Sequence, residues 1–421
     1  MFRFIAADLR RHWIGATAVL LIIAFATALG VMVTLQERAL RLGSARAASA
    51  FDLVVGAPGS ETQLVLSSVF LQPAPLPLLP GSVLAGLRAD PRVAWAAPIG
   101  FGDFAGEAPV VGTTQDLVIG LGGVAEGRGF ARLGEAVVGA RAALAPGETF
   151  HPLHGRLHEG GEAHASVTYT VVGRLAPTGT AWDRAVLVPI EAVWRVHGHA
   201  AGEAANADAE GQHADHDHDH DGHAEAALDL DTAIDLEATA SPVAPGVPAI
   251  LVKPRTIADA YKLRQAFRTE RTLAVFPGEV LTRLYGTLGD ARLILAAVAA
   301  AAQLLVAAAI LLVVAVQVLQ RRRQIGALRA FGAPRAAVFA IVWLEVFLVS
   351  GAGMLAGFVL GYGAARLASS MLTAASGVAL PVAFVAADAL SLAVLVGLAA
   401  LVAAAPAVLA YRQAPASALR A

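Results

Sequence analysis

Cysteine is absent from the 421 residues. That removes disulfides, thiolate metal sites and cysteine nucleophiles together, and leaves the redox compartment unmarked. Charge is also scarce: 15% of residues are Asp, Glu, Lys or Arg, against about 25% in a soluble globular chain. Lysine occurs only as Lys253 and Lys262, and neither follows a glycine, so no G-x-x-x-x-G-K-[ST] loop exists and the chain has no nucleotide-binding loop of that kind. Nothing resembles a nucleophile elbow or a zincin helix, so there is no positive sign of an enzyme. A net charge of −2 gives no reason to expect nucleic acid as a partner.

What is abundant is apolar. Hydrophobic residues make up 57% and the mean hydropathy is +0.62. The excess is concentrated in four runs, Trp13–Leu35, Leu293–Leu319, Ala336–Leu360 and Ala383–Leu409. Each reaches the roughly 20 residues needed to cross a ~30 Å hydrocarbon core. The second is longer than required and must tilt or project as a stalk. Arg3, Arg10 and Arg11 precede the first run, but its apolar stretch exceeds the 7–15 residues of a signal-peptide core, so it reads as an uncleaved anchor. Three arginine groups set the orientation: those just named, then Arg321, Arg322, Arg323, Arg329 and Arg335, then Arg412 and Arg420. The positive-inside rule puts all three in the cytoplasm, which an even number of spans satisfies. Arg38, Arg41, Arg46 and Arg366 fall on the other side and count against it.

The expected fold is a membrane protein with four transmembrane α-helices and a large α/β periplasmic domain between the first two. Residues 1–36 hold the cytoplasmic N-terminus and span 1, and residues 37–285 the outer domain. Span 2 with its stalk occupies 286–320, a cytoplasmic segment 321–335, span 3 336–367, an outer loop 368–382, and span 4 with the C-terminus 383–421. Within the outer domain, Phe51–Gly56, Val167–Val172, Ala185–Pro189 and Ala249–Val252 read as strands, and Ile257–Thr269 as a helix.

One stretch departs from the rest. Residues 200–240 carry twelve acidic side chains and neither Lys nor Arg, which leaves the remainder of the chain at about +10 (−2 + 12). Such composition buries too little apolar surface to offset ordering entropy, so an exposed disordered insertion is expected. It contains His213, His216, His218, His220 and His223 alternating with aspartates. Imidazole and carboxylate together suit Zn²⁺, so the tract is a candidate metal-binding loop, although a solvated low-complexity tract reads the same way.

Two further patterns carry chemistry. In the cytoplasmic segment Ile325, Leu328 and Phe331 recur at i, i+3 and i+6 before Gly332. A basic anchor at the lipid headgroups needs only charge, whereas an apolar stripe in a short helix suits docking to a partner. On span 3, Gly353, Gly357 and Gly361 repeat every four residues, the small-xxx-small spacing that lets two helix backbones approach. Glu345 is an acid inside span 3, read either as a packing hydrogen bond or as part of an ion pathway.

The layout of one anchor, a large outer domain and three further spans resembles the FtsX-like permease family of ABC transporters, including MacB-type exporters and lipoprotein-releasing permeases. Arg321–Arg335 is similar to that family's coupling region, with Leu344-Glu345 at the acid that follows it, and Gln324 standing where the family often has glutamate. Pro406–Arg420 is similar to the family's terminal segment, and Asp52–Ser60 with Gln63–Phe70 to a subgroup. The resemblance implies a permease subunit, not itself an enzyme, in the bacterial inner membrane with both termini cytoplasmic. It would act as a homodimer in contact with lipid, paired with a separate cytoplasmic ABC ATPase. Ile325, Leu328, Arg329 and Phe331 would dock on that ATPase. ATP would be used only there, with no cofactor required by this chain and Zn²⁺ a candidate at the histidine loop. ATP-driven closure would move the outer domain (mechanotransmission), in zinc homeostasis or in export of lipoprotein or other hydrophobic substrates. The alternative is a non-transporting regulator that activates a periplasmic partner such as a cell-wall hydrolase. A receptor or scaffold without an ATPase is a third.

Overall fold

The computed structural model describes residues 2–72, 74–154, 162–163, 167–196, 229–284, 286 and 332–412. They divide into two compact units. One comprises Met1–Leu40, Thr287–Met371 and Pro381–Ala421; the other comprises Arg41–Gly286 and Leu372–Leu380. Helices among the described residues include α1 (Phe2–Arg11), α2 (Trp13–Ala47), α3 (Glu61–Phe70), α4 (Gly81–Ala89), α5 (Gln115–Gly120), α6 (Ile190–Val196), α7 (Leu236–Ala240), α8 (Ile257–Ala266), α9 (Arg335–Ser376) and α10 (Ala386–Arg412).

The first unit is helical. Three segments are long and apolar enough to cross a membrane: Trp13–Ser44, Arg335–Ser376 and Ala386–Val408. A helix satisfies all its own backbone groups, which is what lets such sequences sit in lipid. The 35 residues of α2 and the 42 of α9 rise about 52 and 63 Å at ~1.5 Å each, well beyond a ~30 Å core. Both helices therefore run past the ends expected from hydropathy, Leu35 and Leu360. Hydropathy marks where lipid ends, not where a helix ends. The start of α10 is set by Asp388, whose carboxylate accepts from Val385 N at 2.9 Å in the manner of a capping box. The fourth expected span, Leu293–Leu319, lies outside the described residues.

The second unit is mixed α/β. Its twelve-stranded sheet has the path β12-β1-β11-β2-β3-β10-β5-β9-β4. The strands are β1 (Leu53–Gly56), β2 (Val93–Ala105), β3 (Ala108–Thr113), β4 (Val124–Gly127), β5 (Glu135–Val138), β6 (Thr149–Phe150), β7 (Leu153–His154), β8 (Glu162–Ala163), β9 (Tyr169–Leu175), β10 (Val186–Pro189), β11 (Ala249–Pro254) and β12 (Leu273–Val275). In β1 and β10 every residue is buried, the continuous apolar pattern of strands covered on both faces. In β9 burial alternates, as a half-covered strand requires. β2 joins two halves of the sheet. Val93 to Ile99 pair with β11, then the register shifts, and Gly100 to Ala105 pair with β3. Two cores result. One gathers Leu53, Leu84, Leu87, Ile250 and Leu263; the other gathers Val138, Phe150, Tyr169, Val171 and Val186. The strands and helix expected at 51–56, 167–172, 185–189, 249–252 and 257–269 correspond to β1, β9, β10, β11 and α8. α8 stops at Ala266 because Thr269 turns back, its N–H donating to Thr272 O at 2.9 Å. The disorder expected over 200–240 does not hold from Asp229 on, because this end of the stretch is apolar enough to pack: Leu230 and Ile234 lie against the second core, Thr232 O accepts from Leu133 N at 3.0 Å, and Leu236–Ala240 form α7.

Candidate functional site

The helical unit brings α2, α9 and α10 into three different pairwise contacts. α2 and α9 meet through glycine. A β-carbon at Gly353 would stand 2.9 Å from Leu20 O, and at Gly357 and Gly361 closer still to Ala24 O and Ala28 O. Only hydrogen side chains allow this approach, which is how small-xxx-small helices gain packing contact in lipid. The stripe continues at four-residue spacing through Ala365 and Ser369, both buried. The register rises together, 353 opposite 20, 357 opposite 24, 361 opposite 28, so α2 and α9 are parallel.

α9 and α10 are tied by the Trp343 indole, which donates to Ala400 O at 3.0 Å, and by Tyr362 against Phe384 with ring centroids 6.5 Å apart. The two pairs run in opposite senses, so α10 is antiparallel to α9. The starts of α2 and α9 and the end of α10 thus share one end of this unit.

The third contact closes the triangle. Arg38 on α2 donates two hydrogen bonds to the Asp388 carboxylate, each 2.9 Å, and a third to Ala383 O at 2.9 Å. The bidentate fork fixes direction as well as distance. Neither side chain is more than a fifth exposed, so desolvation makes loss of one partner costly to the other. Sequence reasoning missed this pair. The available signal was one outer arginine and one acid opening an apolar run.

Of the residues singled out from sequence, Gly353, Gly357 and Gly361 line this α2–α9 contact. Glu345 sits half-buried on α9 and is engaged with a partner. Ile325, Leu328, Arg329 and Phe331 lie outside the described residues, as do His213, His216, His218, His220 and His223. Among the described residues no group of three or more His, Asp or Glu is placed to hold a metal.

In the α/β unit two carboxylates are held firmly. Glu135 receives a bidentate Arg128 fork plus backbone N–H bonds from Ala131 (2.7 Å) and Arg132 (3.2 Å). The Arg128 hydrogen bonds lower its pKa from 4.5 to about 2, outweighing the opposing effect of burial. Asp183, fully buried, accepts from Thr178 N and Oγ1 at 2.7 Å and from Gly179 N at 2.9 Å. Burial raises the Tyr169 hydroxyl above its ordinary value, aided by Asp103.

Comparison with known proteins bears out the resemblance for the C-terminal part. Residues 296–416 match the family described as FtsX-like permease C-terminal. No curated protein matches the chain. Among solved structures, the periplasmic region of MacB from Actinobacillus actinomycetemcomitans is 9% identical, with 56% of this chain and 95% of that chain covered at a TM-score of 0.31. The extracellular domain of the noncanonic ABC-type transporter YknZ from Gram-positive bacteria is 11% identical, with 53% and 98% covered at 0.29.

Proposed function

We propose, from the premise that residues 296–416 are an FtsX-like permease C-terminal region, that the chain is the permease subunit of an ABC transporter. A separate cytoplasmic ATPase drives it, and its work is movement of the α/β unit outside the membrane. Beyond the family match, the observation that carries this reading is α2. It is one unbroken helix from Trp13 to Ala47, whose last turns, from Arg41, already fall in the α/β unit. A continuous helix far longer than a bilayer core is a rod able to transmit displacement. The parallel register of α2 and α9 supports a fourth span. Two parallel helices in a membrane require the chain to recross between them, and Leu293–Leu319 is the apolar run available. With α2, α9 and α10 mutually tied, the arginine-rich ends, and both chain termini, face the cytoplasm of the bacterial inner membrane.

Ile325, Leu328, Arg329 and Phe331 are the ATPase-docking residues in this reading, and two copies of the permease act together. The histidine tract buffers or senses Zn²⁺ outside, linking the system to metal homeostasis. The deciding experiment is co-purification of the chain with a cytoplasmic ABC ATPase from its own host. Leu328→Asp with Phe331→Asp is expected to abolish that association, and retained binding refutes the docking assignment. For the metal role, deletion of residues 200–228, which spares the ordered Asp229–Ala240 segment with α7, is expected to slow growth under zinc limitation, and unchanged growth removes it.

A further inference from the structure

Three stretches far apart in the chain converge within the α/β unit: the end of α2, the loop Thr178–Arg184, and the turn Gly377–Leu380 that follows α9. Ala379 N donates to Gly179 O at 2.8 Å, and the Arg184 guanidinium donates to the Ala375 carbonyl. Against the other side of the turn, a β-carbon at Gly43 of α2 would lie 2.7 Å from Leu380 Cδ2 and 2.8 Å from Ala379 O. Val378 and Leu380 are buried, so the turn enters its seat with apolar side chains and one backbone hydrogen bond.

The turn is shaped locally. Gly377, at φ +76°, bonds back to Thr373 O at 2.9 Å, the left-handed exit common after a helix. Leu380 N is taken up by Thr373 Oγ1 at 3.2 Å. The receiving loop is shaped by Asp183. All three of the carboxylate's close hydrogen bonds come from Thr178 and Gly179, and Arg141 Nε stands off at 4.0 Å. Thr178 Oγ1 also meets Thr180 Oγ1 at 2.6 Å. A buried carboxylate satisfied by its own loop's backbone preforms that loop. It holds Gly179, at φ +69°, with its carbonyl presented to Ala379.

We infer that this clasp is a fixed joint, in which Asp183 preforms the loop and the loop, with Gly43, holds the turn Gly377–Leu380. The connection between α9 and α10 is then carried with the α/β unit, not left as a free outer loop. The mechanical consequence rests on reading α9 and α10 as membrane spans. Displacement of the α/β unit reaches these helices through the clasp as well as through α2, so the clasp is a second point of transmission and does not open during turnover.

The absence of cysteine makes the test clean. In the full chain in lipid nanodiscs, Gly179→Cys with Ala379→Cys puts one sulfur on each of two β-carbons that would stand 3.3 Å apart, near the Cβ–Cβ range for a disulfide. Oxidation is expected to cross-link most of the protein. ATP hydrolysis by the associated ATPase is expected to stay within about twofold of the reduced form. A folded protein that does not cross-link overturns the joint, and a cross-link that lowers hydrolysis tenfold or more shows a latch that must open. Because a side chain at Gly179 is strained, hydrogen exchange in Asp183→Asn provides a second measurement. Amides of 178–184 and of 377–380 are expected to exchange at least tenfold faster together, with Leu53–Gly56 and Ala249–Val252 unchanged. Acceleration of one segment without the other refutes the clasp. Failure of any ATPase to associate would refute the proposed function, while cross-linking and exchange would still decide the joint.

Discussion

Gly357→Ala is the smallest perturbation that interrogates the α2–α9 contact. The added methyl meets Ala24 O at well under contact distance and Thr27 Cβ at 2.7 Å, where an unstrained carbon contact needs about 3.5 Å. The Ala24 oxygen is backbone and cannot rotate away, so the two helices must separate locally by nearly 1 Å. A gap of that size forfeits a quarter to a half of each neighbouring dispersion contact, and overpacking of a close-fitted site costs about 1–3 kcal/mol. Alanine regains up to ~1 kcal/mol of helix propensity over glycine, leaving a net loss of about 1–2 kcal/mol. Gly361→Ala, against Ala28 O and Ala28 Cα, is expected to lose as much, and Gly353→Ala somewhat less. Gly363 and Gly397 have no atom within 4 Å of an added β-carbon, so alanine there is expected to be neutral or to stabilise by up to ~1 kcal/mol. The assay is the unfolding midpoint of the full chain in detergent across all five variants. The reasoning depends on a change of sign between the two groups, and equal shifts at Gly357 and Gly363 would refute it.

The Arg38–Asp388 pair is expected to behave as a unit. Arg38→Met alone should cost about 2 kcal/mol, between the values for exposed and buried pairs, and Arg38→Met with Asp388→Leu should recover part of it; a strictly additive double-mutant cycle would show that the ion pair contributes nothing. Glu135, with its pKa depressed from 4.5 to about 2, contributes stability that is fully present above about pH 4.5 and is lost as pH falls towards 2. The shift corresponds to at most ~3.4 kcal/mol, and about 2 kcal/mol is expected because the partner Arg128 side chain is 56% exposed; acid-unfolding curves should lose this component in Glu135→Gln, and an unchanged curve counts against it. Orientation is open to single-cysteine labelling in a cysteine-free chain: Arg271→Cys should react with an impermeant maleimide applied outside, and Arg335→Cys only after the membrane is opened, the reverse pattern refuting the topology.

What was legible in the sequence was local. Apolar runs identify α2, α9 and α10 because crossing lipid demands a contiguous length of apolar residues, and β1, β9, β10, β11 and α8 announce themselves by short-range pattern. The spacing of Gly353, Gly357 and Gly361 predicts a close helix contact, yet nothing in it names the partner, which is α2 in parallel register. Strand order was illegible for the same reason. β1 lies between β11 and β12, strands whose residues are about two hundred positions away, and β10 joins β3 in parallel. The Arg38–Asp388 pair spans 350 positions, and no periodicity links its members. Asp183 reads as an ordinary turn acid until the backbone groups around its carboxylate are seen.

The orientation argument changes character once the pairs are known. Counted singly, Arg38, Arg41, Arg46 and Arg366 count against the positive-inside reading, and two of them, Arg38 and Arg366, have partners in the helical unit. Arg38, however, is matched by Asp388 in a bidentate pair with an added bond to Ala383 O, and the pair as a whole carries no net charge across the membrane field. Arg366 lies over the Tyr362 ring, 5.2 Å from its centroid, where the ring face attracts the guanidinium charge. The parallel α2 and α9 and antiparallel α10 put these exceptions at one end of the helical unit and Arg335 at the other. Removing the pair from the count leaves, in the described part of the helical unit, Arg3, Arg10, Arg11 and Arg335 towards one end and Arg366 towards the other. Arg38 is therefore best understood as half of a structural tie that neutralises itself, and its place towards the end of α2 is matched to where Asp388 caps α10.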